Sequence, residues 1–222
     1  MKTLNKDAQA NLTPVQVLTV LKNGNARFVD NLRVNRNLLQ QVNETSAGQY
    51  PMAAIVSCMD SRTSAELIFD QGLGDIFSIR LAGAVITDDV LGSLEYACNA
   101  AGSKFIVVLG HTKCGAIAGA CDAVKMGKLT GLLDRIAPAV EAEKSITDNR
   151  TAKNPAFVEA VTYLQIERSV QAIMEQSEIL RDLIRNGAIG IIGAMYDVET
   201  GNVNFLEHTL VHQEAVSQLA TA

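Results

Sequence analysis

The sequence predicts an α/β fold with a mostly parallel sheet, and three observations predict it. Residues 52–57 form a short apolar run without alternation, the signature of a parallel strand buried on both faces, and 75–81, 104–109 and 188–196 read as further strands. Helical stretches lie between them, and such alternation implies right-handed crossovers and a sheet covered by helices on both sides. A chain of 222 residues with 48% hydrophobic content suits one domain better than two.

Taken in order, Thr13 is an N-cap and Pro14 the first helical residue. Val15, Val17, Leu18, Leu21, Phe28 and Leu32 follow as a stripe weakened by Gly24. This helix either packs on a partner subunit or covers its own core. Residues 35–50 are polar and read as loop. Residues 64–71 form a short helix, and the second strand ends at Ala82-Gly83. Thr87 caps a helix through Ala101, with Val90, Leu91, Leu94, Ala97 and Cys98 on one side. Gly110-His111 ends the third strand, a helix runs over 115–126, and 129–143 is helical. After an exposed loop at 145–154, residues 155–185 form one long helix or two, stopped by Asn186-Gly187. A turn at 199–202 returns residues 203–206 antiparallel at the sheet edge, and a weak helix begins at Thr209.

Composition excludes several classes of function. A net charge of -5 argues against nucleic acid or an anionic membrane as partner. No apolar run is long enough to span a bilayer, and residues 1–11 lack the apolar core of a secretory signal, so the expected compartment is the cytoplasm. Four cysteines are too few for a disulfide scaffold and point to metal binding or packing.

The chemistry concentrates in Cys58-Met59-Asp60-Ser61-Arg62 and His111-Thr112-Lys113-Cys114. Ligands of open α/β sheets bind beyond the carboxyl ends of the strands, which is where Cys58 and His111 fall. Cys114 opens a helix, whose dipole favours a thiolate. Two cysteines and one histidine form a three-ligand set for Zn²⁺ with a fourth position left over. Cys121, seven residues beyond Cys114 on the same helix, lies roughly 10 Å along the axis, too far to share the ion. Cys98 sits on an apolar helix face, and both read as packing. His208 and His212 read as a surface pair. Asp60 can accept a proton from zinc-bound water or ligate the ion, and Arg62 can hold it away by a bidentate pair. A zinc-bound hydroxide facing an apolar pocket suits a small uncharged electrophile. Gly83, Ala84, Val85 and Gly115 are small or apolar and adjoin the strand ends as candidate walls.

Cys58-x-Asp60-Ser61-Arg62 followed by His111-x-x-Cys114-Gly115 resembles the β-class carbonic anhydrases. The resemblance runs through Asp75 to Gly83 and Gly92-Ser93-Leu94-Glu95-Tyr96, and covers about residues 20–207. It implies a mostly parallel four-stranded sheet flanked by helices, with an antiparallel edge strand. It divides the single domain, 1–222, into an N-terminal helical arm (1–50), an α/β core (51–207) and a tail (208–222). Zn²⁺ would be held by Cys58, His111 and Cys114, with Asp60 and Arg62 as catalytic dyad and Asp60 a fourth ligand only in a closed state. The implied reaction is reversible hydration of CO₂ to bicarbonate and a proton by attack of zinc-bound hydroxide. The implied assembly is a homodimer or homotetramer with crossed N-terminal helices. Some members bind bicarbonate at a second pocket of Trp, Arg and Tyr. Arg80 and Tyr196 match two of these, but Ile55 stands at the Trp position, so weak or absent regulation is expected. Ala84 replaces the Asn or His of many relatives. Hydrolysis of CS₂ or COS, a closed non-enzymatic zinc site and a dithiol redox pair are the competing readings. The last gives His111 no role.

Overall fold

The computed structural model describes residues 3–212. Every residue of strands β1 (Ala53–Ser57), β3 (Phe105–His111) and β4 (Gly190–Tyr196) is buried, as residues sandwiched between two helical layers must be. With β2 (Ile76–Arg80) and β5 (Val203–Val211) they form one sheet in the order β2-β1-β3-β4-β5. The first four strands are mutually parallel and β5 is antiparallel to β4. The sheet therefore has five strands, not four: the antiparallel edge strand adds to four parallel ones.

The N-terminal segment is more helical than its polarity suggests. Helices α1 (Lys6–Ala10), α2 (Pro14–Val29) and α3 (Leu38–Thr45) precede the sheet. Thr13 and Gln16 form a reciprocal capping box at the start of α2. Gly24 does not break this helix. A Cβ there would lie 1.9 Å from the Phe69 carbonyl oxygen, so the residue is small to let the helix touch the core. The loop expected over 35–50 is corrected by α3. Asn37 caps it, and the buried Gln41 accepts a hydrogen bond from the Leu73 N–H, which anchors an otherwise polar helix.

Further helices cover both faces: α4 (Ala65–Ile68), α5 (Asp88–Glu95), α6 (Gly115–Cys121), α7 (Gly127–Leu133), α8 (Ala137–Ala142), α9 (Pro155–Gln176) and α10 (Glu178–Arg185). A π-helical turn over Tyr96–Ala100 continues α5. The stretch 129–143 thus splits into parts of two helices, and α6 stops short of residue 126. Ser177 separates α9 from α10 by capping the latter, while its hydroxyl donates to Glu95 Oε1 at 2.6 Å. Val17, Leu21 and Phe69 pack with Ile55, Val107 and Ile192 on one face of the sheet. Ile166, Ile173 and Leu180 pack with Val56, Val108 and Ile191 on the other. Gly110 lets α9 lie directly on β3, since a Cβ there would meet Ile166 Cδ1 at 2.5 Å.

The helix expected from Thr209 is also corrected. Thr209 belongs to β5, and its hydroxyl accepts the Gly193 N–H at 2.8 Å where β4 and β5 shift register. The rest of that tail, from residue 213, lies outside the described residues.

Asp70 ties the N-terminal segment to the core. Its carboxylate accepts from Arg27 Nε at 2.6 Å, Arg36 Nη1 at 2.5 Å and the Val34 N–H at 3.3 Å. Burial pushes its carboxyl up, but the two guanidinium hydrogen bonds outweigh burial and bring it below the usual range. Asp70→Asn should therefore cost about 3–5 kcal/mol in urea unfolding, because two arginines lose a buried counter-charge. The Asp70 contribution should be intact above about pH 4 and fade as pH falls through the depressed native pKa, a trend the Asp70→Asn variant should lack.

Candidate metal centre

Parallel strands release their chains at the same edge of a sheet. Ser57 pairs with Leu109 across β1 and β3, so Cys58, one residue past β1, reaches the end of β3. His111 is the last residue of β3 rather than the first beyond it, because the ladder continues to a His111–Tyr196 pair with β4. Cys114 follows a turn in which Lys113 adopts φ 56°, and it stands at the N-cap of α6.

The three side chains converge. Cys58 Sγ and Cys114 Sγ are 4.0 Å apart, and the ligand atoms of Cys58, His111 and Cys114 all lie within 4.8 Å of one another. Two thiolates on one tetrahedral ion, with bonds near 2.3 Å, sit about 3.8 Å apart. All three residues are buried, at 5%, 1% and 2% exposure. His111 Nδ1 lies 2.9 Å from the Thr112 carbonyl oxygen, which can only accept. This assigns the hydrogen to Nδ1 and leaves a lone pair on Nε2. That nitrogen is buried without a hydrogen-bond partner among the described residues. A buried acceptor facing two sulfurs is suited to ligate a metal ion.

The thiols are electrostatically unequal. The hydrogen bond with Cys114 outweighs burial and, helped by the Gly83 N–H, lowers Cys58 below the usual thiol range. The same contact, followed by burial, pushes Cys114 strongly up. A cation that binds both sulfurs must displace the protons that the pair carries. Cys98 and Cys121 lie outside the cluster, and burial raises their thiols to about 12 and about 11.

Asp60 stands beside the cluster and is not a member of it. Its Oδ1 accepts from the Arg62 N–H and from Nε, both at 2.9 Å, and Oδ2 accepts from Arg62 Nη2 at 2.8 Å. These bonds, above all those from the guanidinium, hold the Asp60 carboxyl far below the usual carboxylate range. Arg80 secures the same loop. Its Nε donates to the Cys58 carbonyl at 3.2 Å and its Nη2 to the Asp60 carbonyl at 2.6 Å. The Thr63 hydroxyl lies 2.9 Å from each of those carbonyls. Ile55 is wholly buried within β1, and Tyr196 is buried opposite His111.

Gly83 and Ala84 line a small cavity at the cluster, with Val108, Gly110 and Ile117. Val85 lines the adjoining cleft, and Gly115 opens α6 beside Cys114. Thr162, Gln165 and Ser169 of α9 complete the cavity wall, and sequence reading did not single them out. Their signal is a polar row at spacings of three and four on an apolar helix face. His208 is exposed on β5, with Nε2 2.8 Å from Glu167 Oε1.

The sequence profile described as carbonic anhydrase matches residues 53–203. A relative from Mycobacterium tuberculosis called carbonic anhydrase 2 is 36% identical over 206 residues, covering 89% of this chain and 95% of its own. The β-carbonic anhydrase 1 of Mycobacterium bovis is 39% identical over 152 residues, covering 68% and 79%. In solved structures, a tetrameric β-carbonic anhydrase from Sordaria macrospora matches with a TM-score of 0.64 at 23% identity, over 75% of this chain and 89% of that one.

One divalent metal ion should bind per chain. Cys114→Ser and His111→Ala should reduce its content, whereas Cys98→Ala and Cys121→Ala should leave it unchanged, as elemental analysis will show. Because the thiol pair must surrender a proton, apparent metal affinity should rise with pH, by about tenfold per unit for each proton released.

Proposed function

The chain belongs to the β-class carbonic anhydrases, and on that footing we propose that it catalyses reversible hydration of CO₂ to bicarbonate, with one Zn²⁺ held by Cys58, His111 and Cys114. The observation that carries the reading is the buried Nε2 of His111, without a hydrogen-bond partner among the described residues, converging with two thiols beside a carboxylate engaged by arginine. When bound, zinc is a Lewis acid that lowers the pKa of water in its fourth position toward 7 and makes it nucleophilic at neutral pH.

The protein groups divide the remaining work. Asp60 Oδ2 accepts one hydrogen bond from Arg62 and retains a lone pair for a hydrogen of the nucleophile. Arg62 keeps that carboxylate ionised and gives it a partner other than the metal, which favours an open site over a closed structural one. Gly83, Ala84, Val108 and Ile117 give the ligand cluster a largely apolar wall, against which an uncharged substrate is favoured over an ion. We include weak or absent bicarbonate regulation in the proposal. Arg80 is engaged by the Cys58–Asp60 backbone, and Ile55 offers no polar edge.

Val15, Leu32, Leu38 and Leu39 are 53%, 68%, 54% and 72% exposed on the N-terminal arm, apolar area that a second copy would cover. The tetrameric fungal relative supports a homodimer or homotetramer. A reducing, cytoplasmic compartment would keep Cys58 and Cys114 available as ligands. No helix among the described residues is long and apolar enough to cross a membrane.

Stopped-flow assay of CO₂ hydration, beside CS₂ and COS turnover, tests the reading. The zinc-loaded protein should favour CO₂. Asp60→Ala should keep its zinc and lose about 100-fold or more in kcat/KM. An Asp60→Ala protein as fast as the parent would remove Asp60 from the mechanism, and preferential turnover of CS₂ or COS would reassign the substrate.

A further inference from the structure

We propose that Asp197 is a positioning residue for the metal centre: through Thr112 it locks the peptide whose carbonyl sets the His111 ring. The inference rests on His111 being a ligand, as proposed above, and is independent of which substrate is turned over.

Asp197 follows β4 directly and opens the turn into β5. His111 pairs with Tyr196 across β3 and β4, so the next residues, Thr112 and Asp197, emerge side by side. The Thr112 N–H donates to the Tyr196 carbonyl at 2.9 Å. Its hydroxyl donates to Asp197 Oδ1 at 3.2 Å and accepts the Val198 N–H at 3.1 Å. Thr112 is thus held at its backbone nitrogen and its side chain, which leaves ψ as the one torsion that turns its carbonyl. That carbonyl lies 2.9 Å from His111 Nδ1.

The carboxylate is itself fixed from the other side. Asp197 Oδ1 accepts the Glu199 N–H at 3.0 Å and Oδ2 accepts the Thr200 hydroxyl at 2.7 Å. Its backbone closes the turn, with the Asp197 N–H donating to the Asn202 carbonyl and the Gly201 N–H to the Asp197 carbonyl, each at 2.9 Å. One side chain therefore organises the β4–β5 turn and joins it to the ligand turn.

The ligand turn needs an external hold. Lys113, between Thr112 and Cys114, adopts φ 56°, a region that side chains other than glycine seldom occupy. A second link between the two turns, Lys113 Nζ to Glu199 Oε1 at 2.6 Å, is exposed at both ends and constrains little. The Thr112–Asp197 link is the more sheltered of the two. Outer groups that orient a ligating imidazole typically change metal affinity 10–100-fold when removed.

Three variants test this: Thr112→Val, which deletes the hydroxyl at similar shape, Thr112→Ser, which keeps it, and Asp197→Ala. The Zn²⁺ dissociation constant is measured by competition with a chromophoric chelator, the visible spectrum is recorded on Co²⁺-loaded protein, and unfolding of the metal-free protein is followed by circular dichroism. Thr112→Val and Asp197→Ala should bind Zn²⁺ roughly 10–100-fold more weakly and shift the Co²⁺ bands. Thr112→Ser should stay near the parent in both readouts, and metal-free Thr112→Val should unfold close to the metal-free parent. Parental affinity and spectrum in Thr112→Val would overturn the inference. So would an equal loss in Thr112→Ser, because the hydroxyl would then be irrelevant. A parent that binds zinc but hydrates no CO₂ would overturn the proposed activity and leave this inference standing.

Discussion

The parallel pairing of β1 with β3 is the constraint on which the metal centre depends. It delivers Cys58 to the end of β3, beside a histidine 53 residues away in the chain. Strand side chains alternate between faces, so a one-residue slip would turn the side chains around Ser57 and Leu109 toward opposite layers. Packing opposes the slip, because the apolar residues of both strands are already divided between two filled layers. The packing of Ile166 over Gly110 fixes the end of β3 from above. Ligand geometry is in this sense a by-product of core packing, with the loops adding only the last few residues.

Charge is managed by the loop after β1. Two thiols and a carboxylate in so small a volume would repel one another when ionised. Arg62 neutralises the carboxylate, and Arg80 with Thr63 ties down the loop carbonyls from Cys58 to Asp60. Arg62 is 48% exposed, so its ion pair adds little to folding stability. Its contribution is directional: it sets where the Asp60 oxygens point. Asp70 shows the contrasting case, a sheltered carboxylate between two arginines that joins the helical arm to the core.

The parts of this design that depend on local pattern were legible in the sequence. Unbroken apolar runs marked the parallel strands, Thr13 and Thr87 marked helix starts, and the ligand residues fell at strand ends. Contacts made at long range were not legible. Helix α3 is polar, and the reach of Gln41 to Leu73 ties it to the loop before β2. Gly110 reads as a strand terminator, yet pairing with β4 carries the ladder two residues past Leu109, to His111. The far half of β5 lost its alternation at the consecutive exposed residues Glu207 and His208, and its pairing resumes across a bulge. Thr162, Gln165 and Ser169 were readable as helical but not as cavity lining, since nothing in α9 alone says which strand end it covers.

X-ray absorption at the zinc edge of the metal-loaded protein tests the central claim most directly. Two sulfur scatterers near 2.3 Å, one imidazole near 2.0 Å and one further light ligand are the predicted shell. A shell with one sulfur or none, or one without imidazole, would contradict the convergence of Cys58, His111 and Cys114 on a single ion.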